Sequence, residues 1–116
     1  MKIAVPLDEN KKEVCIVLAR APYFLVRENG SDAVVDNPGA QAQSGAGLQA
    51  AQFLVDSGVD VLITVRCGQN AADVFHAAGM KVYKSVHKAA AEDLAAFEEG
   101  KLAELTQFHG GFQNGQ

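Results

Sequence analysis

Cys67 lies where a reactive side chain would be best placed to bind a ligand. Residues 59–65 before it form a continuous apolar run, and a helical pattern begins just after Gly68. In α/β proteins, ligands often bind at the turn between a buried strand and a helix N-terminus. The helix N-terminus and the adjacent Arg66 would both favour a thiolate, which attacks electrophiles and binds soft metals. The alternative is a small buried residue that closes the strand.

Cys15 and three histidines are further candidate ligands. Cys15 lies in a segment of ambiguous pattern, where a packed, inert cysteine is the simpler interpretation. His87 follows a short strand and is either a ligand or part of a helix start. His109 lies in the glycine-flanked sequence FHGGF, whereas His76 is expected on a solvated helix face. No CxxC pair occurs, so a structural zinc site is disfavoured.

The sequence GAGLQA at residues 45–50 predicts an anion site more readily than a dinucleotide site. It matches GxGxxA, but that fingerprint directly follows its strand, whereas about seven residues separate Asn37 from Gly45 here. The backbone from Ser44 to Gly47 would present N–H groups and a positive helix end to any anion. A flexible helix start is the equally good alternative.

No set of catalytic residues is legible in the sequence. A nuclease needs several carboxylates converging on Mg²⁺, but Asp8 and Asp36 lie near separate strand ends and VDVLITV has its only acid at its start. No Ser-His-Asp set is legible either. The sequence therefore predicts neither nuclease chemistry nor a Ser-His-Asp hydrolase.

The elements that must position these residues begin with strands and continue with helices. Residues 2–6 predict a strand, residues 13–20 are ambiguous, and YFLVRE followed by AVVDN predicts a β-hairpin turning at Asn29 and Gly30. After Pro38 we expect a helix closed by Gly58, a buried strand at 59–65, and a helix from its N-cap Asn70 to Gly79. A strand at 81–84 and a helix at 89–99 complete the pattern. The expected inward positions are Leu48, Ala51, Leu54 and Val55 on the first helix and Ala71, Val74, Phe75 and Ala78 on the second.

This order predicts a single α/β domain over residues 1–105, followed by a flexible tail at 106–116. Antiparallel strands followed by βαβ units give a mixed five-stranded sheet with helices on its faces, the arrangement of the ribonuclease H-like fold. Strand 1 and the two later strands should be parallel neighbours, with the third strand ending at the same edge. Four loops should meet at that edge: residues 7–21 with Arg20, residues 38–45, residues 66–69 and residues 84–88.

Composition limits the classes of partner. The chain has 116 residues, is 48% hydrophobic and has a net charge of −4, so it lacks the basic surplus that binding to nucleic acid usually needs. No apolar run approaches the roughly 20 residues of a membrane helix, and the first residues do not resemble a secretory signal. Two cysteines make no disulfide framework. A cytoplasmic protein with neither nucleic acid nor membrane as partner is expected.

Four segments together resemble a known family. They are KIAVPLDE, RAPYFLV from Arg20, GAGLQAAQFLVDSGVDVLI from Gly45, and CGQNAADVFHAAGMKVY followed by FEEGKLAEL. In order and spacing they are similar to the dinitrogenase iron-molybdenum cofactor biosynthesis family, which includes NifX, NafY and the C-terminal domain of NifB. The resemblance implies the ribonuclease H-like fold. It also implies a non-enzymatic role in binding, carrying or inserting a metal-sulfur cluster that contains molybdenum or iron, together with a donor or recipient protein.

The chain departs from the family pattern at one loop. Where the family often has SxHFGRAPYF, this sequence has CIVLARAPYF, so Val17 replaces the usual histidine and Leu18-Ala19 replaces Phe-Gly. The expected cofactor-binding residues are Arg20, Gly45, Gly47, Arg66, Cys67 and Gly68, and the expected metal ligands are Cys67, Cys15, His87 and His109. Thiolate can coordinate a sulfide-rich cluster while arginine offsets its charge. The open alternatives are a thiol enzyme or redox sensor using Cys67, and a nucleotide- or protein-binding module.

Overall fold

A computed structural model describes residues 1–109 and shows one mixed sheet with helices on both faces. The strands are β1 (Lys2–Leu7), β2 (Tyr23–Glu28), β3 (Ser31–Asp36), β4 (Val61–Thr64) and β5 (Lys81–Lys84). The helices are α1 (Ala46–Asp56), α2 (Gln69–Ala77) and α3 (Ala90–Glu98), and a short 3-10 helix spans Pro38–Gln41. The predicted α/β class and the mixed five-stranded sheet are confirmed.

The strand order is β3-β2-β1-β4-β5. β2 is antiparallel to both β1 and β3, whereas β4 is parallel to both β1 and β5. The C-terminal ends of β1, β3, β4 and β5 therefore lie at one edge, as the sequence predicts. The loops that follow these four strands start from this edge, which we call the rim.

Two apolar clusters fill the spaces between the sheet and the helices. Alternate residues of β4 divide between them, because successive side chains of a strand point to opposite faces. Leu62 belongs to the cluster under α1 and α2, and Ile63 belongs to the cluster under α3. All four β4 residues are buried, which explains the unbroken apolar run in the sequence. The cluster under α1 and α2 also contains Cys67.

Several expected helix positions are wrong in detail. The N-cap of α2 is Gly68, not Asn70, so the helix starts closer to Cys67 than its polar residues suggest. Leu48 is 47% exposed because it lies in the first turn of α1, at the rim rather than over the sheet. On α2, Ala72 is buried and Ala78 is exposed. The ends at Gly58 and Gly79 are correct, and both glycines have positive φ.

The ambiguous residues 13–20 form an irregular loop held by isolated pairings with distant segments. Glu13 pairs with Ala89, and Val17 pairs with Arg66. The backbone N–H of Val14 also donates to the carbonyl oxygen of Lys88 at 2.8 Å. Because these partners are distant in sequence, the apolar residues of this loop follow neither a helix nor a strand period. In the described residues, no helix is long and apolar enough to cross a membrane.

Candidate functional site

A groove of about 340 Å³ opens at the rim between α1, α2 and the loop before β2. We call it the rim groove. Its lining residues are Ile16, Val17, Leu18, Ala19, Gly45, Gly47, Leu48, Arg66, Gly68, Gln69, Asn70, Ala71 and His109. The groove thus brings together five of the expected site residues, namely Gly45, Gly47, Arg66, Gly68 and His109.

Asn37 fixes the loop of residues 13–21, which forms one wall of the rim groove and which we call the wall loop. Its side chain is buried, and the Nδ2 group donates to the carbonyl oxygens of Ala19 at 3.1 Å and Ala21 at 2.9 Å, and at 3.4 Å to that of Leu18. Its Oδ1 accepts from the N–H of Gly39 at 2.8 Å. The side-chain amide of Asn37 therefore supplies hydrogen-bond partners to backbone groups of an irregular loop, which no strand could pair. Sequence reasoning missed this role, although Asn before Pro-Gly at a strand end is a recognisable turn signal.

Gly39 allows the 3-10 helix, the wall loop and the start of α1 to meet. A Cβ atom at Gly39 would lie 2.6 Å from the carbonyl oxygen of Ala46 and 2.9 Å from that of Ala19. Both neighbours are main-chain atoms, so they cannot move aside as a flexible side chain would. Glycine is required here by close approach of the backbone, and not by an unusual φ.

Two helix N-termini point into the rim groove without a side-chain cap. The N-cap of α1 is Gly45, which has φ of 66°, and the N-cap of α2 is Gly68. Neither makes a capping side-chain hydrogen bond. The first N–H groups of a helix have no intrahelical acceptor, so these turns present donors and partial positive charge to the groove. In α2 one of them is used, because the N–H of Gln69 donates to the carbonyl oxygen of His109 at 2.9 Å.

The charge in the rim groove is opposite to that of the whole protein. The chain has fourteen acidic residues and a net charge of −4, yet among residues 1–109 no carboxylate lines the groove. Arg66 is the permanent cation there, and its side chain is exposed. His109, from the C-terminal segment, also lines the groove. Within the described part of the chain, an anion in this groove would face helix N-termini and a guanidinium, without an opposing carboxylate.

Cys67 faces the core instead of the rim groove. It is 2% exposed and packs in the cluster under α1 and α2. Burial raises the pKa of its thiol to about 12, so the expected thiolate is wrong in this structure. The helix N-terminus and Arg66 do not offset this, since desolvation of the sulfur dominates. Its thiol donates to the carbonyl oxygen of Gly68 at 3.5 Å.

Arg20 and Cys15 lie outside the lining of the rim groove. The guanidinium of Arg20 donates to the carbonyl oxygen of Ala42 at 2.6 Å and borders a separate depression that carries Asp8, Glu9, Glu13 and Asp36. The thiol of Cys15 donates to the carbonyl oxygen of Val17 at 3.5 Å. Partial burial, and next the neighbouring Asp8, raise the pKa of Cys15. The predicted roles of Arg20 and Cys15 in binding a cofactor or metal therefore gain no support from the rim groove.

His87 is engaged by a buried carboxylate that sequence reasoning missed. Its Nδ1 lies 2.8 Å from Oδ1 of Asp93, which is fully buried in α3. The same carboxylate accepts from the backbone N–H groups of Val86 and His87 and from the hydroxyl of Ser85. Asp93 therefore shapes the loop after β5. An acid at an inward helical position is the signal that could have identified it.

His109 is held beside the rim groove through its backbone. Its N–H donates to the carbonyl oxygen of Cys67 at 3.2 Å, and its ring lies against Gly68, where a Cβ atom would be 3.3 Å from Cε1. The sequence predicted a flexible tail at residues 106–116. Residues 106–109 of that segment lie against the domain, and residues 110–116 lie outside the described residues. Within residues 1–109, no group of three or more His, Cys, Asp or Glu side chains is arranged to hold a metal ion.

The sequence model of the dinitrogenase iron-molybdenum cofactor family matches residues 1–100. The chain belongs to this family. The resemblance that the sequence suggested is therefore confirmed, and the match includes the whole sheet, the wall loop and both helix starts of the rim groove.

Solved structures agree with the family assignment. The apo form of the orange protein from Desulfovibrio gigas is 29% identical, with a TM-score of 0.82 over 90% of this chain and 92% of that chain. A Thermotoga protein provisionally assigned as NifB is 37% identical, with a TM-score of 0.74 over 92% of this chain and 95% of that one. A Methanocaldococcus jannaschii protein, at 18% identity and a TM-score of 0.72 over 92% of this chain and 96% of that one, shares the fold. Among curated proteins, no sequence matches.

The departure of this chain from the family pattern falls in the site itself. Val17 and the pair Leu18-Ala19, which replace the histidine and the Phe-Gly pair, all line the rim groove. Val17 is 52% exposed, and its backbone pairs with that of Arg66, which also lines the groove. In this member of the iron-molybdenum cofactor family, the wall loop therefore contributes apolar surface at the position where the family resemblance led us to expect a histidine.

Proposed function

We propose that the protein binds an anionic metal-sulfur cluster containing molybdenum or iron in the rim groove, and carries or scaffolds it without catalysing a reaction. One observation carries this proposal. In an acidic protein of the iron-molybdenum cofactor family, the described lining of the rim groove contains Arg66 and two uncapped helix starts but no carboxylate. A negatively charged ligand is the chemical complement of that lining.

The apolar walls of the rim groove favour a large, soft anion. Ile16 is 57% exposed, Val17 52% and Leu48 47%, so three of the chain's exposed large apolar side chains lie around one groove. A small oxyanion would lose its water against such walls without gaining enough hydrogen bonds. Sulfide ligands spread the charge over a larger surface and accept hydrogen bonds from N–H donors. A sulfide-rich cluster therefore fits the combination of apolar walls and backbone donors.

We infer that the cluster is held by its charge and its sulfide surface, and not by a cysteine ligand. The burial and raised pKa of Cys67 oppose the deprotonated form that a metal would need. Cys15 and His87 lie outside the lining of the rim groove, while His109 lines it and is the side chain there that could coordinate a metal. Arg66 and the first-turn N–H groups of α1 and α2 would supply the main attraction.

The fold type, the cellular location and a protein partner are part of the same proposal. The strand order and the parallel pairs on either side of β4 support a ribonuclease H-like fold. The two unpaired cysteines fit a reducing, cytoplasmic environment. A carrier needs a donor or recipient protein, and the exposed apolar residues beside the groove are a suitable contact for one. The burial of Cys67 argues against a thiol enzyme, and the 3-10 helix between β3 and α1 argues against a dinucleotide fingerprint.

Anaerobic titration with tetrathiomolybdate tests the proposal, with the visible spectrum of the anion as the readout. We expect saturable binding to the wild type and at least about tenfold weaker binding to Leu48→Glu, because the new carboxylate lies at the mouth of the groove. Val34→Glu is the matched control, since Val34 is similarly exposed at 43% but lies on β3. The control should bind like the wild type.

Two outcomes would count against the proposal. Absence of saturable binding to the wild type would reject a thioanion site, and equal weakening by Leu48→Glu and Val34→Glu would show that net charge, and not the groove, controls binding. Molybdate under the same conditions should bind more weakly than tetrathiomolybdate. Equal affinity for the two anions would remove the argument from the apolar walls.

A further inference from the structure

A second cavity lies beneath the C-terminal segment, next to the rim groove. Residues 101–109, which we call the strap, run along β5 and then cross to the start of α2. The N–H of Lys84 donates to the carbonyl oxygen of Ala103, and that of Leu105 donates to the carbonyl oxygen of Val82, both at 2.9 Å. Phe108 anchors the far end with its ring edge-on to His76, 5.5 Å between centroids. The cavity under the strap has a volume of about 350 Å³.

As far as residues 1–109 are concerned, three basic side chains and no carboxylate border this cavity. They are Arg66, Lys84 and His109, and we call the space the cationic cavity. Val65, Cys67, Leu105 and Phe108 supply its apolar surface, and Gln107 completes the lining. Arg66 and His109 also line the rim groove, so the two spaces share a border.

Arg66 and Lys84 differ from most other basic side chains of the protein. Lys2, Arg27, Lys81, Lys88 and Lys101 each pair with a carboxylate. In residues 1–109, neither Arg66 nor Lys84 has a carboxylate within salt-bridge distance. In a protein with fourteen acidic residues, two uncompensated cations at one cavity leave a local positive potential.

We propose that the cationic cavity is a second anion subsite, selective for a carboxylate or phosphate group and distinct from the rim groove. The ammonium of Lys84 is a compact, strongly hydrated charge that prefers hard oxygen anions. The guanidinium of Arg66 presents paired donors that match the oxygens of a carboxylate or phosphate. The subsite does not depend on the proposed cluster-binding function, because its own charge can attract an oxyanion when the groove is empty. When both spaces are filled, Arg66 lies between the two ligands.

Isothermal titration of the metal-free, full-length protein with pyrophosphate and with citrate at low salt tests this subsite. We expect 1:1 binding of at least one of them, weakened about fivefold or more by Lys84→Gln and restored by Lys84→Arg. Lys12→Gln is the control, because Lys12 is exposed, has no salt-bridge partner in the described residues and lies outside the cavity. The control should bind within about twofold of the wild type.

Oxyanion binding and tetrathiomolybdate binding can fail independently, which distinguishes a failure of the subsite from a failure of the proposed function. Absence of saturable heat with both anions, or equal losses in the two glutamine variants, would overturn the subsite. Leu48→Glu should leave pyrophosphate or citrate binding within about threefold of the wild type while it weakens tetrathiomolybdate binding. Binding of an oxyanion without any binding of tetrathiomolybdate would reject the proposed function and support the subsite. The reverse result would reject the subsite alone.

Discussion

The backbone N–H of His109 donates a hydrogen bond to the carbonyl oxygen of Cys67 at 3.2 Å, although the two residues are 42 positions apart in the chain. Through this bond the strap lies across the strand-to-helix turn. The thiol of Cys67 faces the core beneath it, while the ring of His109 lies at the groove surface against Gly68. The turn that sequence analysis singled out is thus a structural junction whose outer surface, and not its sulfur, faces the groove.

The buried thiol of Cys67 should make stability fall at alkaline pH. Its pKa is about 12 in the folded protein, against about 8.5 in an unfolded chain. The folded-state pKa is raised, so the unfolded state loses its proton first and stability declines as pH rises from about 9 towards 12. The loss is at most about 1.4 kcal/mol per pH unit from this single group. Urea unfolding at pH 8, 9 and 10 measures it.

Cys67→Ala is the control for this pH dependence, and Cys67 alkylation offers a second measurement. The variant should show a shallower decline above pH 9 than the wild type, even if it is less stable at pH 7. In the native wild type, iodoacetamide should label the half-buried Cys15 before the buried Cys67. Faster labelling of Cys67 at neutral pH would contradict the buried, neutral thiol and revive the thiol-enzyme interpretation.

Gly39→Ala should destabilise the fold by about 1–3 kcal/mol, because the added methyl group meets two main-chain carbonyl oxygens. Gly47→Ala is the matched control. A Cβ atom at Gly47 has its nearest neighbour at 3.9 Å, an ordinary contact, and alanine suits a helix. Thermal unfolding of the two variants should therefore move in different directions or by clearly different amounts. Equal melting temperatures would show that the close approach at Gly39 is not required.

Asn37→Asp should be costly, whereas Asn10→Asp should be nearly neutral. Asn37 uses its Nδ2 group as a donor to backbone carbonyls, so a carboxylate there would remove the donor and place a negative charge against carbonyl oxygens. Asn10 uses Oδ1 only as an acceptor from the N–H groups of Lys12 and Glu13, a role that aspartate keeps. We expect a loss of about 2 kcal/mol or more for Asn37→Asp. Similar unfolding curves for both variants would contradict a stabilising role for the Asn37 side-chain hydrogen bonds.

The fold was predictable because its strong patterns are local. The Asn29-Gly30 hairpin, the apolar strand before Cys67 and the helix ends at Gly58 and Gly79 all depend on neighbouring residues, and the structure has each of them. The wall loop was not predictable, since Val14 and Val17 pair with residues more than forty positions away. The periodicity of neighbouring residues cannot indicate such distant partners.

The candidate site was predictable in position but not in chemistry. Strand direction alone places the loops after β1, β3, β4 and β5 at one rim, and the family resemblance indicated the same loops. Which side of the turn the Cys67 sulfur occupies depends on how α2 and the strap pack, and this is a tertiary property. The same holds for Asn37 and Asp93, whose partners are backbone groups of irregular loops.

Amide chemical-shift mapping of ¹⁵N-labelled protein during an anaerobic titration with tetrathiomolybdate tests the central claim most directly. The account predicts the largest shifts at the first turns of α1 and α2, especially Gly47, Leu48 and Asn70, and in the wall loop at residues 16–19. Signals of β3 and of the acidic depression around Asp8 should move little. Shifts centred on that depression or on β3, or no saturable shift at the two helix starts, would contradict a cluster site in the rim groove.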